Sequence, residues 1–564
     1  LPKTNKIMTR KSWIKSFKKL HKWPAIVIAF IAILFAASGI VMNHRQLFSG
    51  VDVSRKLLPE NYHYQNWNLA AVRGSVQLED ANLIYGNIGV WKSDNNLEDF
   101  ANFNQGFPQG IDNRKIYSIV LFNDVLYAGT HLGLYKRNTT KDIWQKLQIP
   151  VEKERIADLE IKDNKLLVLT RHYLLESADG QHFKKIQLPE PVNYERKTGL
   201  FKTFWELHSG ELFGLAGKLF VDLLGLITIL LSVTGLLHFF FPKWIKRKKK
   251  KIQSRTEKLN HPLPPPGGKR NNEVAGKGNA SIDKLVRTKK LNLNWHNVVG
   301  YVFALFLLIN TFSGMHLRPP FLIAIANKQV GIIPGTHLDS PNPWFDKLRR
   351  VHWDAAHRRY IFSTSDGFYF ADENLSDKLI PAPSQPPVSV MGCNVLEPVG
   401  EDFLMVGSFS GMFVWNPQTG MVADFFTGQP YHAPQGMARP IGANTVAGFV
   451  QSGDKSWWFD YTRGAIAINA QNEFAAMPAE VCQASPMSLW NVALEIHTGR
   501  IFEHLVGSFY ILFVPLAGIC LMLVLISGFF LWWMVFRKKQ KKKSPSPPRL
   551  QTRYWRLLRR TSSQ

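Results

Sequence analysis

Four long apolar stretches interrupt the chain, at roughly 24–43, 212–242, 297–317 and 501–536. Each is long enough for a helix that crosses a bilayer, which takes about 20 residues. Between them the pattern changes. Residues 44–207 and 318–495 run as short apolar segments separated by glycine-containing turns. In the first region these are Ile84 to Trp91, Leu126 to Tyr135 and Leu166 to Leu174; in the second, Tyr360 to Tyr369, Leu404 to Phe413 and Trp457 to Ile466. Each segment predicts an antiparallel hairpin of alternating strands. The hairpins recur about every 40 to 50 residues, the spacing of β-propeller blades. Three blades cannot close a ring without leaving open edges. The expectation is therefore one propeller-like domain built from both regions, with two separate small β-domains as the alternative.

The apolar stretches are themselves repeated. His21 is followed by an apolar run and Ser38-Gly39, and His296 at the same spacing by another run and Ser313-Gly314. The other two stretches open on Glu206-Leu-His208-Ser-Gly210 and Glu495-Ile-His497-Thr-Gly499. The membrane part thus reads as a four-helix bundle made of a duplicated helix pair. The first stretch has the basic start of a secretory signal, but its match to the third predicts a retained helix.

Charge sets the topology. The net charge is +27, yet residues 1–23 carry eight Lys/Arg and no acid, 241–290 sixteen basic and three acidic residues, and 537–564 eleven basic and none acidic. The rest of the chain is net negative, so nucleic acid is not the expected partner. Four helices put those three segments on one side, the positive-inside pattern. The resulting map is a basic N-terminus at 1–23, helices at 24–43, 208–242, 293–317 and 496–536, β-rich extracytoplasmic regions at 44–207 and 318–495, a basic linker at 243–292 and a basic tail at 537–564. Linker and tail are expected to be flexible and to lie on anionic lipid. Both termini are expected in the cytoplasm of a cell with an inner membrane and periplasm.

Three cysteines are too few for a disulfide framework. Cys393 and Cys482 share one outer region, where pairing is left open; Cys520 lies in the fourth helix. Without a Cys-x-x-Cys-His motif, any haem is held non-covalently. No His-Glu-x-x-His, phosphate loop or dinucleotide fingerprint is evident.

The topology gives each histidine a depth. His21, His238 and His296 fall on the inner side; His44, His208, His316, His497 and His504 on the outer. Ionisable groups at membrane depth tend to be functional, and neutral imidazoles are good ligands for haem iron. Repeat symmetry suggests His21 with His296 for an inner haem b and His208 with His497 for an outer one. His44 with His316 is a less regular pair. His504 is expected on the helix face of His497, deeper in the bilayer, and His238 has no histidine counterpart. The recurring Ser/Thr-Gly (also Thr234-Gly235 and Ser527-Gly528) suits close approach of a macrocycle or ordinary helix packing. Asp222 is a candidate hydrogen-bond partner for a histidine or a propionate.

The segments around His21, His208, His296 and His497, with the Ser/Thr-Gly helix endings, resemble the PepSY-associated transmembrane helix family. The resemblance implies an inner-membrane protein of iron and siderophore uptake, some relatives being dihaem ferric-siderophore reductases. It also implies those four histidines as the family's own. Family reductases usually carry α+β domains outside the membrane, so the β-rich regions depart from the pattern. The expected function is one-electron reduction of an extracytoplasmic ferric chelate, siderophore or haem. The electrons come from quinol or a cytoplasmic reductase, and an outer-membrane uptake system is an expected partner. A membrane sensor or an iron-transport accessory without redox activity is the alternative.

Overall fold

The computed structural model describes residues 9–138, 143–152, 155–259, 269–388, 391–432, 442–468 and 473–537. They divide into two compact units. The first takes its residues from 1–43, 199–329 and 496–564, the second from 44–198 and 330–495, so both β-rich regions contribute to one unit.

The first unit is helical. It contains α1 (Arg10–Asn43), α2 (Leu200–Ser209), α3 (Gly214–Leu259) and α4 (Lys269–Met315), then the end of α5 (Leu489–His497) and α6 (Phe513–Leu531). Four helical spans are long and apolar enough to cross a membrane. The chain is a membrane protein, with apolar Val27, Phe30, Leu226, Leu305 and Leu516 exposed outward and Ser38, Thr234, Ser313 and Ser527 buried inward. That inversion suits a lipid exterior. The helices continue well into the basic segments, and most of the linker expected to be flexible is helical up to Leu259 and again from Lys269. Lys, Arg and Glu are good helix formers and extend a nucleated helix cheaply. The proline-rich 260–268, and the tail from 538, lie outside the described residues.

Around the bundle α1 packs on α3 and α6, and α4 packs on the same two, so α1 and α4 are diagonal. The second and fourth spans are not continuous helices. α2 stops at Gly210 (φ 81°), and α3 starts at Gly214 (φ 62°). α5 stops at His497, followed by Gly499 (φ 76°), a 3-10 turn at Arg500–Phe502 and Gly507 (φ 56°). Only glycine adopts such left-handed values freely. Gly214 precedes Gly235 by the same interval as Gly507 precedes Gly528, so the halves stay in register beyond the break. The extra residues of the second half are the short helix Glu503–Val506, which contains His504.

The second unit is antiparallel β. Its first sheet runs Gly74–Gln77, Asn82–Gly86, Gly89–Ser93 and Phe100–Asn102. Four further four-stranded sheets begin at Ile116–Phe122, Ile156–Lys162, Leu348–Asp354 and Val395–Pro398; a sixth, of three described strands, begins at Val446–Ser452. All six predicted hairpins are the second and third strands of these sheets. The first-to-second turns Asn123-Asp124 and Asp163-Asn164 have φ > 0 at both residues, as in a type I′ turn that matches strand twist. The expected one-sided alternation does not hold for the second strands: Asn82–Gly86 and Leu404–Ser408 are buried throughout. Each sheet packs on both faces. Apolar clusters join the first sheet to the second, the second to the third, the third to the fourth, the fourth to the fifth, the fifth to the sixth and the sixth to the first. Cys393 and Cys482 are free thiols.

One ion triad in this unit has a large effect. Asp112, with a fully buried side chain, lies 2.7 Å from Arg45 and 3.1 Å from Lys115. Burial alone raises its pKa, but the Arg45 hydrogen bond and the two cations hold it well below the usual carboxylate range. A depressed folded pKa stabilises the fold above the unfolded value, and that contribution fades as pH falls toward the folded one. Asp112→Ala leaves buried cations uncompensated and is expected to cost about 3–5 kcal/mol, measured by denaturant unfolding followed through tryptophan fluorescence.

Candidate haem-ligand pairs in the helical unit

His21 on α1 and His296 on α4 face each other across the bundle diagonal, with ring centroids 6.1 Å apart and planes at 74°. His208 at the end of α2 and His497 at the end of α5 form a second pair, 5.9 Å apart at 48°. An imidazole nitrogen binds a metal at about 2 Å, so two trans ligands on one ion place their ring centroids about 6 Å apart. Both pairs have that separation.

The other ring nitrogen of each histidine is held by a neighbouring helix. His21 Nδ1 lies 2.9 Å from the Val524 carbonyl, His208 Nδ1 2.9 Å from that of Asn310, and His497 Nδ1 2.9 Å from that of Phe35. A carbonyl only accepts, so Nδ1 carries a proton, and in the neutral ring Nε2 then keeps its lone pair. At each site a serine three residues on donates to the same carbonyl: Ser527 to Val524, Ser313 to Asn310, Ser38 to Phe35. The fourth site keeps this scheme, with Thr234 Oγ1 3.2 Å from the Leu231 carbonyl that also accepts from His296, and adds two contacts. Thr234 Oγ1 donates to the Leu230 carbonyl at 2.7 Å and accepts from His296 Nδ1 at 2.9 Å. Tying down the distal nitrogen is how proteins orient a metal-binding imidazole.

The glycine after each hydroxyl completes the unit. A Cβ at Gly314 would come within 2.5 Å of His208 Cε1, and one at Gly528 within 2.8 Å of His21 Cε1. At Gly39 the approach to His497 is 3.2 Å and at Gly235 the approach to His296 is 3.5 Å. The Ser/Thr-Gly pairs thus seat an imidazole edge, which neither sequence reading of them anticipated. The seats also interlock the halves: His208 sits on α4 of the second half, and His497 on α1 of the first. From His21 to Gly39, beside which His497 sits, α1 spans about 27 Å.

The remaining predicted histidines are not members of either ring pair, although His238 lies near enough to His21 and His296 for their charges to interact. His44 belongs to the β unit, where its carbonyl caps the turn Arg45–Phe48. His316 belongs to the helical unit, its Nδ1 bonded to the Phe312 carbonyl one turn back and its ring among Phe204, Phe312 and Phe321. His504 does not share a helix face with His497, because Gly499 ends that helix; it bonds the Ile501 carbonyl and is exposed. His238 lies one turn beyond Thr234 on α3, and its Nδ1 has no hydrogen-bond partner among the described residues. Asp222 accepts from Asn43 Nδ2 at 2.9 Å. Sequence reasoning missed the hydroxyls as ring partners, although a Ser or Thr before each glycine was visible. It also gave no role to buried Glu206 and Glu495, the latter accepting from Tyr62 at 2.8 Å.

This geometry has a counterpart in known sequences. Residues 2–241 match the family described as PepSY-associated TM region. The match takes in His21, Ser38-Gly39, His208 and Thr234-Gly235, one complete half of the interlocked set. Among curated proteins, nothing matches this chain. Of solved structures, two extracellular domains from B. thetaiotaomicron, described as parts of a hybrid two-component and a one-component system, are 9% and 10% identical to it. They cover 70% and 72% of this chain at TM-scores of 0.32 and 0.30. This chain spans 32% and 39% of their lengths. A computationally designed protein, Ika8, is 8% identical, with 74% of this chain and 99% of that one covered at a TM-score of 0.26.

Thr234→Val keeps the shape of the residue but removes the hydroxyl that accepts from His296 Nδ1, leaving the Leu231 carbonyl as an acceptor. Losing such a partner typically costs 10–100-fold in metal affinity. With the Leu231 carbonyl still in place, a weakening of haem retention at the His21–His296 pair near the lower end of that range, about tenfold, is expected, read as the haem-to-protein ratio after gel filtration. The outer pair is expected to be unaffected.

Proposed function

We propose that the helical unit holds two b-type haems, one between His21 and His296 and one between His208 and His497. In this reading the protein carries electrons outward across an inner membrane. The observation that carries it is the double pairing of histidines at the spacing of trans imidazole ligands, with a distal nitrogen secured at every ring. The donor set fits: four neutral imidazoles with free Nε2 atoms, in a bundle whose outer surface is apolar. Haem between two imidazoles supplies reversible one-electron transfer. The chain's own contribution is orientation and exclusion. Ser38, Thr234, Ser313 and Ser527 line the inner faces, the carbonyls of Phe35, Asn310 and Val524 fix ring angle and tautomer, and the apolar helices keep water out.

The six sheets are read as a six-bladed propeller, supported by apolar clusters that join each sheet to the next and the sixth to the first. The electron acceptor is a ferric chelate, siderophore or haem, held on the periplasmic side. Ferrous iron binds oxygen donors more weakly, so reduction releases it. The source of electrons is quinol or a cytoplasmic reductase, for which the basic segments around 1–23 and 241–290 offer a positively charged surface.

The test is an oxidised-minus-dithionite-reduced spectrum of detergent-purified protein with pyridine haemochromogen quantitation. Sharp low-spin b-type bands, at close to two haems per chain, are expected. Protein free of haem after expression in haem-replete cells would sink the reading and favour a transport accessory or sensor.

A further inference from the structure

The β unit concentrates cations where the first strands of its sheets begin. Arg73 precedes the first sheet, Lys115 the second and Arg155 the third; Arg349 and Arg350 lie at the start of the fourth, and Arg171 follows the second strand of the third. These arginines and Tyr117 keep partial solvent exposure, although the strands that follow them are largely buried. Register breaks recur at these strand starts, between Ile116 and Ser118, Ile156 and Asp158, Leu348 and Arg350, and Val446 and Gly448. A bulge re-aims the residue it leaves unpaired, and here those residues include Tyr117 and Arg349.

Carboxylates engage only part of this charge. Asp112 holds Arg45 and Lys115, Asp346 lies 2.7 Å from Arg171, and Asp158 lies 3.1 Å from Arg350. Arg73 and Arg155 make no carboxylate pair among the described residues. Their guanidinium groups lie 5.3 and 5.1 Å from the Tyr117 ring centroid, so they are no more than about 10 Å apart. Arg73 also hydrogen-bonds Asn394 Oδ1 at 3.4 Å, and its buried Nε has no hydrogen-bond partner among the described residues. The surroundings report the surplus. Burial would raise the Tyr117 pKa, yet Arg155, Arg45, Arg73 and Lys115 bring it down to about 8. Arg349 is pushed down to about 9 by burial and by the nearby Arg171 charge.

The geometry points to a binding site for a small polycarboxylate anion on the β unit, gripped by Arg73 and Arg155 beside Tyr117, with Arg171 and Arg349 completing the cationic wall. Guanidinium forks match carboxylates bidentately. Their placement on the first, third and fourth sheets fits several carboxylates on one ligand better than a single compact anion. That this ligand carries ferric iron, and is the electron acceptor, rests on the reductase reading; the anion site does not.

Calorimetric titration of the full-length purified protein with citrate at low salt tests it. Saturable binding is expected, weakened at least tenfold in Arg73→Gln and in Arg155→Gln, with Arg73→Lys in between. Near-UV circular dichroism checks that each variant folds; should Arg73→Gln fail, Arg155→Gln decides alone. No saturable binding of citrate, or unchanged affinity in every folded glutamine variant, overturns the site. Inorganic phosphate binding as tightly as citrate overturns the polycarboxylate assignment. Ferric citrate reduction is then compared between wild type and variants. If citrate binding falls while reduction does not, the anion site stands and its identity with the acceptor falls. If the wild type binds citrate but contains no haem, the reductase reading fails and the site survives.

Discussion

His21→Ala and His296→Ala are each expected to remove the same haem, about half of the total, and to leave the other spectrally intact, because a b-type haem is kept by its axial imidazoles. His208→Ala and His497→Ala are expected to remove the complementary half. The pairs lie at opposite ends of α1, one at His21 and the other beside Gly39, so loss at one end need not disturb the other. Pyridine haemochromogen yield, with circular dichroism to confirm helix content, measures this directly. Full haem retention in both His21→Ala and His296→Ala would rule out that pair as ligands. The same substitutions at His44, His316 and His504 are expected to leave haem content unchanged, since none of the three belongs to either ring pair.

The glycine seats give a second, graded outcome. At Gly314 and Gly528 an added methyl would sit 2.5 and 2.8 Å from an imidazole carbon. The ring must then shift or the helices part, and overpacking of this kind costs about 1–3 kcal/mol. Gly314→Ala is expected to weaken haem retention at the outer pair about tenfold or more, and Gly528→Ala to do the same at the inner pair. Gly235→Ala, with 3.5 Å to spare, is expected to be nearly silent. Gly39→Ala, at 3.2 Å, falls between. Ordinary helix packing predicts no such order and no selectivity for one haem, so equal effects at all four positions would refute the seat. Haem loss to apomyoglobin, followed separately at the two sites through the histidine variants, distinguishes the outcomes.

Much of this was legible in the chain. Apolar length gave the four spans, because a membrane crossing has a minimum length and few charges. The six hairpins were visible as paired apolar runs around glycine turns. The resemblance to the PepSY-associated TM region rested on short motifs around four histidines, of which the family match takes in His21 and His208, and the matching intervals from His21 to Gly39 and from His296 to Gly314 reveal a duplication without coordinates. Other features were hidden for identifiable reasons. Apolar runs continue across Gly499 and Gly507, so periodicity cannot reveal that a left-handed residue ends one helix before the next begins. That break is why His504 does not follow His497 down one face. The outer strands of the sheets, such as Phe100–Asn102 and Gln145–Leu147, are three residues long, too short to carry a hairpin signal.

The sequence by itself determined which residues were available: four histidines in two repeated contexts, each repeat ending in a hydroxyl and a glycine, and basic residues gathered in three segments. Only the tertiary structure decided what they meet. Each histidine finds its Nδ1 partner on a different helix, and His208 and His497 find theirs in the opposite half of the repeat. Such contacts depend on which helices are adjacent and at what depth, and no local pattern encodes that. The same holds for the arginines of the β unit. Along the chain they are scattered basic residues near strand starts, and the stacking of sheets gathers them at one set of strand ends, where Arg73 and Arg155 make no carboxylate pair among the described residues.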